Sequence, residues 1–280
     1  MIFYSLTGFL LAAGVACAVV LIFRHRFMAH LDALDAELRK PVTAIVARYD
    51  LPPEVVALAS RMGANAKPAS SFAEFDQSGQ MWWTPGGKPI DFSAHQTVRV
   101  DTTEFLWRAS TRLPLNVVVA DYFVGGTGGL EVMLFGALPL ARMIGGAGAN
   151  RGETLRYLAE LPWNPDAILA NTALDWTVVN HKTIKVATGN GPERGEVTLT
   201  LDENGLIAHA SALSRLYVEK GRTTARPWHG RFWDYQRLDD RLIPMQAEVA
   251  WTLDAGEFVY WRRRILIWRT STMNSDHQGD

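Results

Sequence analysis

The residues able to do chemistry are scattered along this chain. Seven histidines, His25, His30, His95, His181, His209, His229 and His277, stand far apart, with no HExxH pair and only one cysteine. Metal sites need clustered ligands, so no metal and no cofactor is expected. No GxSxG marks a serine nucleophile, and Cys17 lies inside an apolar run, which removes a cysteine mechanism. Four carboxylates, Asp121, Glu153, Asp234 and Glu248, have the chemistry for acid–base work, and Glu248 beside His229 is one pairing an enzyme would use. The simpler reading of each is a solvated or hydrogen-bonded group. GGAGANRG (145–152) precedes a helical pattern, the setting in which helix N-termini hold phosphate. Aligned on Gly146 and Gly148, however, GxGxxG meets Arg151 at its third glycine, and no GK[ST] follows. A glycine connector is expected there.

Aromatic and basic residues on strands remain. In EFLWRASTRL (104–113), Phe105, Trp107 and Ala109 share one face while Arg108 and Arg112 share the other. In PWHGRFWDY (227–235), His229, Arg231, Trp233 and Tyr235 alternate with Trp228, Phe232 and Asp234. A guanidinium in such a strand can clamp a carboxylate or phosphate. Arginine stacked on aromatics, with ordinary ion pairing, explains the same pattern. The candidate ligand contacts are Trp107, Arg108, Tyr157, Trp163, Trp228, Arg231 and Tyr235.

These residues need elements to position them. Residues 2–23 carry no charge and would make a helix about 33 Å long, enough to cross a bilayer. Nothing basic precedes the run, unlike a signal peptide, so a retained transmembrane anchor is expected. Arg24, Arg26, Arg39 and Lys40 all follow it, and the positive-inside tendency places the folded part in the cytoplasm. A polar-sided helix with Leu31, Leu34 and Leu38 follows, then short helices near 42–49 and 53–62, so 24–66 reads as a helical connector. From 67 to 270 the chain reads as about ten short strands with tight turns such as Asn190-Gly191 and Asp239-Asp240. Such connections join antiparallel neighbours. The fold class is α+β: a large curved antiparallel sheet, half-barrel or barrel-like, with N-terminal helices and one helical insertion at 151–170. Within RGETLRYLAELPWNPDAIL (151–169), Leu155, Leu158 and Leu161 form a core stripe, Arg156 and Glu160 pair on the solvent side, and Glu153 suits the first turn. Pro162 stops the helix. Residues 271–280 read as a disordered tail.

The composition is that of a globular protein, and a net charge of −1 offers no electrostatic footprint for nucleic acid. Ten tryptophans, all beyond residue 81, require a large aromatic surface inside or at a binding face.

Several separated blocks resemble a bacterial family known only as a domain of unknown function: RGETLRYLAELPWNPDAIL, PWHGRFWDYQRLDDRLIPMQAEVAWTL, GQMWWTPGGKPIDFSAHQ and EFLWRA. The resemblance implies no activity. The architecture is also similar to the half-open barrel of periplasmic lipoprotein carriers and related lipid-binding modules, a likeness of fold that implies a periplasmic domain. The flanking charges favour the cytoplasm and are followed here. The expected protein is single-pass and membrane-anchored, with a concave aromatic face for an apolar or amphipathic small molecule or lipid. The alternatives are an enzyme with an unrecognised carboxylate or histidine site, and a protein-interaction module.

Overall fold

A computed structural model describes residues 2–41, 48, 50–65, 71–111, 116–219 and 221–271, with 2–10 as backbone only. The helix expected near 42–49, Arg112 and the tail from 272 fall outside the described residues. Helices α1 (Ile2–Leu38) and α2 (Pro53–Arg61) precede six strands, β1 (Phe72–Met81), β2 (Ile90–Arg99), β3 (Phe105–Thr111), β4 (Val117–Val124), β5 (Thr127–Leu134) and β6 (Leu138–Ile144). A helical segment follows: α3 (Gly146–Ala159), a 3-10 turn (Leu161–Trp163) and α4 (Pro165–Ala170). Seven more strands complete the chain, β7 (Asp175–Asn180), β8 (Thr183–Thr188), β9 (Gly195–Leu201), β10 (Ile207–Glu219), β11 (Arg222–Leu238), β12 (Arg241–Leu253) and β13 (Gly256–Ser271).

All thirteen strands form one antiparallel sheet in the order β6-β5-β4-β3-β2-β1-β13-β12-β11-β10-β9-β8-β7. Two meanders therefore meet at the β1–β13 pairing, and the helical segment links the sheet's two edges. Two-residue turns with positive φ at both positions, Gly125-Gly126 (58° and 73°) and Asp239-Asp240 (44° and 62°), match the right-handed twist of their hairpins. The sheet exceeds the expected ten strands chiefly because of β6. Its residues LPLARMI are all exposed and include Pro139, so the alternation that marks a half-buried strand is missing. A proline is tolerated there because β6 is an edge. Ser271, read as the start of the tail, pairs with Phe72 of β1.

Alternation sends each strand's side chains to two faces. Phe105, Trp107, Val117 and Val119 join the main core beneath α3, while Leu106, Val118, Ala120, Tyr122 and Met133 face the other way. That second, convex face is covered by the C-terminal half of α1, where Phe27, Leu31 and Leu38 are buried. The apolar run and the polar-sided segment are thus one helix, about 55 Å long. From Leu11 to Phe23 its residues are uncharged and almost all exposed, and the stretch from Leu11 is long and apolar enough to cross a membrane, which fits an anchor or a signal sequence.

Arg99 fastens α1 to the sheet. Its Nη1 donates to the Leu38 and Lys40 carbonyls (2.7 and 2.9 Å), and Nε and Nη2 donate to Asp101 (2.8 and 2.9 Å). The side chain is fully buried, so removing it strands buried acceptors. Arg99→Met is expected to cost about 3–5 kcal/mol and to free the end of α1. Denaturant unfolding in detergent, with proteolysis after Lys40, checks this; a loss below about 1 kcal/mol would refute the clamp.

Candidate functional site

The chain leaves β6 through Gly145 and Gly146, both at positive φ (67° and 81°), and turns at once into α3. GGAGAN, expected as a connector, is therefore the helix start, since its alanines favour helix once the turn is made. Close approach to the sheet is possible because β5 carries Gly128 there; a Cβ would meet the Asn150 Cα at 3.1 Å. Asn150 fixes the position, accepting from the Gly128 N–H at 2.8 Å and donating to the Gly126 carbonyl at 3.2 Å.

α3 then crosses the concave face. Leu155, Leu158 and Leu161 bury against the sheet as the helical spacing predicts. The opposite stripe does not face bulk solvent. Gly148, Gly152, Glu153, Arg156, Glu160 and Trp163 line a cavity of about 610 Å³ between α3 and the sheet. Seven of the ten tryptophans, Trp82, Trp83, Trp107, Trp163, Trp228, Trp251 and Trp261, line it as well. This volume falls in the range of small-molecule sites, which are mostly apolar with a few placed polar groups.

The polar groups lie in one corner. Arg156 Nη1 donates to Asp121, its Nε donates to Glu160 (3.2 Å), and its guanidinium lies over Phe105 and Trp107. Burial opposes its charge, but Glu160, Asp121 and Glu153 more than offset this and hold its pKa up. Glu160 also accepts from Gln96 (2.5 Å), Gln96 accepts from Gln77 (3.4 Å), and Gln77 accepts from Arg263 (2.7 Å). A buried polar chain thus runs from β13 through β1 and β2 to α3 and β4.

Glu153 sits at the end of this chain, 2% exposed. Burial first, and the charge of Asp121 second, push its carboxyl well above the ordinary range, against the opposing pull of Arg215. Asp121 Oδ1 and Glu153 Oε2 are buried with no hydrogen-bond partner among the described residues. A proton kept on Glu153 by this burial would let it donate to Asp121 and so serve both oxygens. The expected helix-dipole role of Glu153 is replaced by this one, because the helix starts five residues earlier than 151 and carries Glu153 past its first turn.

This proton has a stability signature. Between about pH 4.3, the ordinary glutamate value, and the raised folded value, folded Glu153 keeps a proton that the unfolded chain has lost. Stability attributable to the group therefore falls as pH rises through that window. Glu153→Gln stays neutral throughout and is expected to match the parent's Tm near pH 4 and exceed it at pH 8. Thermal unfolding at both values is the check; a parent that gains on the variant between them would contradict the assignment.

Arg215 completes the corner. Its guanidinium lies 4.6 Å from the Trp228 ring centre and 6.0 Å from that of Trp251. Among the described residues it has no carboxylate within ion-pair distance.

Of the candidate contacts, Trp107, Trp163 and Trp228 line the cavity and the other four do not. Arg108 stands on the convex face opposite its neighbour Trp107, bonded to Asp32 (2.9 Å) and the Leu31 carbonyl of α1. Arg231 is likewise convex, bridging Glu248 (2.7 Å) and Glu257 (2.6 Å). His229 pairs with Glu257 and Glu248 with Arg262, so the suggested His229–Glu248 couple is not formed. Tyr157 sits on the core side of α3, where its hydroxyl donates to the Arg99 carbonyl and accepts from Asn171. Tyr235 follows Asp234, whose φ of 59° turns the strand, and its hydroxyl donates to the Ile207 carbonyl. Among the described residues no three histidine, cysteine or acidic side chains gather as metal ligands. Sequence reasoning missed Arg215, Arg156 and Glu160 as cavity residues. The signal for the last two was their place on one stripe with Gly148 and Gly152, where small residues leave space.

Residues 45–263 match the model of a family of unknown function, DUF6544. No curated protein matches the chain. Among solved structures, a LolA superfamily protein from Nitrosomonas europaea is 11% identical, with 77% of this chain and 93% of that one covered and a TM-score of 0.44. A DUF1329 family protein from Desulfovibrio piger is 12% identical, with 81% and 92% covered and a TM-score of 0.45. A domain described as an outer membrane lipoprotein-sorting protein from Vibrio parahaemolyticus is 8% identical, with 78% and 92% covered and a TM-score of 0.41.

Proposed function

We propose that this chain, which belongs to the DUF6544 family of unknown function, is a single-pass membrane protein that binds an apolar or amphipathic small molecule, a lipid being the leading candidate. The cavity carries the reading: an aromatic-walled space of about 610 Å³ with a polar corner. An apolar chain would lie along the tryptophans. A polar end that accepts hydrogen bonds, such as a carboxylate or phosphate, would meet Arg215, whose guanidinium is already oriented by two indole rings. The uncharged run before Arg24 supports the anchor. The basic residues after it support a cytoplasmic domain, and a reporter fused to the C-terminus tests that side. The full-length chain, purified in detergent and examined by native mass spectrometry with solvent extraction, should release a copurified amphiphile. A chain that comes out empty and ignores added fatty acid and phospholipid would sink the proposal.

A second reading, an enzyme, is favoured by one observation. Two carboxyl groups, Asp121 and Glu153, converge in the cavity, and burial keeps a proton on Glu153. Incubating the extracted molecule with fresh protein separates the two readings. Recovery at unchanged mass supports binding alone; a mass change that Glu153→Gln abolishes supports catalysis.

A further inference from the structure

We infer that the cavity opens toward the lipid bilayer, so that its mouth sits on the membrane surface and exchanges ligand with the membrane without passing through water. This rests on the anchored, ligand-binding reading above.

Strand register defines the two ends of the half-barrel. Met81 pairs with Ile90 and Trp261, Phe92 with Thr111, Val117 with Leu134, and Leu134 with Leu138. Glu219 pairs with Arg222, and Leu253 with Gly256. Trp82, Trp83, the β5–β6 turn, the β10–β11 turn and the β12–β13 turn therefore share one end. Arg99, the Gly125-Gly126 turn and the Asp239-Asp240 turn share the other.

The course of α1 relates these ends to the membrane. Its C-terminus, Leu38, is held by Arg99 at the second end. Arg24, the first charged residue after the apolar run, donates from Nη1 to the Phe135 carbonyl at 3.0 Å, at the first end. A Cβ on Gly136 in the same turn would touch the Arg24 side chain at 3.5 Å. The uncharged half of α1 must continue outward from the first end, which places the β5–β6 turn at the bilayer surface.

The cavity mouth is at that end. Its lining includes Trp83, Leu140, Leu216 and Val218, all exposed, with Trp83 at 55% and Val218 at 62%. Phe135 and Leu138 continue the apolar surface toward α1. An apolar rim around an apolar cavity is unfavourable in water and favourable against lipid. Lys88 lies between β1 and β2 and Arg222 opens β11 at this end; neither makes an ion pair among the described residues, which suits anionic headgroups. The second end is closed by the buried core around Leu155, Tyr157 and Ile168.

The test uses the full-length chain with Cys17→Ser, since Cys17 is the sole cysteine. Leu138→Cys, Val218→Cys and, at the far end, Glu203→Cys are each labelled with an environment-sensitive fluorophore. The proteins are reconstituted in vesicles of phosphatidylcholine and phosphatidylglycerol at about three to one. Labels at 138 and 218 should be quenched at least twofold more by nitroxide-bearing lipid than by aqueous iodide, and the label at 203 by iodide alone. If the protein floats with the vesicles and still yields bound amphiphile, but the label at 218 answers only to iodide, this inference is overturned and the binding reading stands. If the protein does not float with the vesicles, the anchor reading fails and the inference fails with it.

Discussion

Gly152→Phe is expected to abolish ligand uptake while leaving the protein at least as stable as the parent. Gly152 lies on the cavity stripe of α3, and a Cβ built there meets nothing within 4 Å. Its backbone is ordinary helix, so a side chain introduces no strain. Glycine is about 1 kcal/mol worse than alanine in a helix interior, and phenylalanine recovers part of that. The ring would occupy the space between Arg156 and the tryptophan wall and remove the volume in which a chain could lie. Affinity for a fluorescent fatty acid, titrated into the protein in nanodiscs, should fall at least about tenfold, equivalent to about 1.4 kcal/mol. Thermal unfolding of the same samples should show no loss. Unchanged affinity with the ring in place would mean that ligand binds elsewhere or not at all.

Trp163→Ala is expected to be the most damaging single change to stability. The indole is 2% exposed, and its Nε1 donates to the Pro244 carbonyl at 2.8 Å. Removing so large a buried ring costs about 3–5 kcal/mol through lost burial and the space left behind. A second cost comes from Arg263, whose guanidinium lies 3.3 Å from the Trp163 ring centre. Arg263 is buried with Nε and Nη2 lacking hydrogen-bond partners, and burial pulls its pKa below the ordinary arginine value. Stacking on aromatic faces is the main compensation for that charge, and the closest face would be gone. The sum approaches the 5–15 kcal/mol of a typical domain, so the variant should be largely unfolded or retained as aggregate. Trp163→Phe keeps a stacking ring and loses the hydrogen bond, so a milder loss of about 1–2 kcal/mol is expected. Denaturant titration of both variants decides it. Equal losses would show that Arg263 does not depend on the ring.

The family blocks and the curved antiparallel sheet were legible because they depend on local pattern. Alternation along β2, β3 and β4 and the glycine or aspartate turns between strands are written residue by residue. β6 was not legible, since an exposed edge strand buries neither face and leaves no period of two. The cavity was half legible. The tryptophan load announced a large aromatic surface, and parity already placed Trp107 opposite Arg108 and Trp228 opposite Arg231. Applying that parity consistently would have separated the indoles from the two arginines. The polar corner was illegible for another reason. Arg156 and Glu160 at four-residue spacing look the same whether their stripe faces water or a cavity. Only the curvature of the sheet decides which, and curvature is a property of all thirteen strands together.

The pairing of β1 with β13 constrains how the molecule can form. Gln77 and Arg263, joined across it, are 186 residues apart in the chain. Each meander can assemble from neighbours as it is synthesised, but neither can complete the aromatic wall alone. Phe92 belongs to one and Trp261 to the other, and their rings stack at 6.0 Å. Closing so long a loop makes this the slow step of folding. Until the last strand emerges, an apolar half-shell stands open, still lacking Trp261, Ile265 and Trp268 from its core. The aromatic wall of the cavity is therefore completed last, and the open half-shell is the stage of folding most exposed to aggregation.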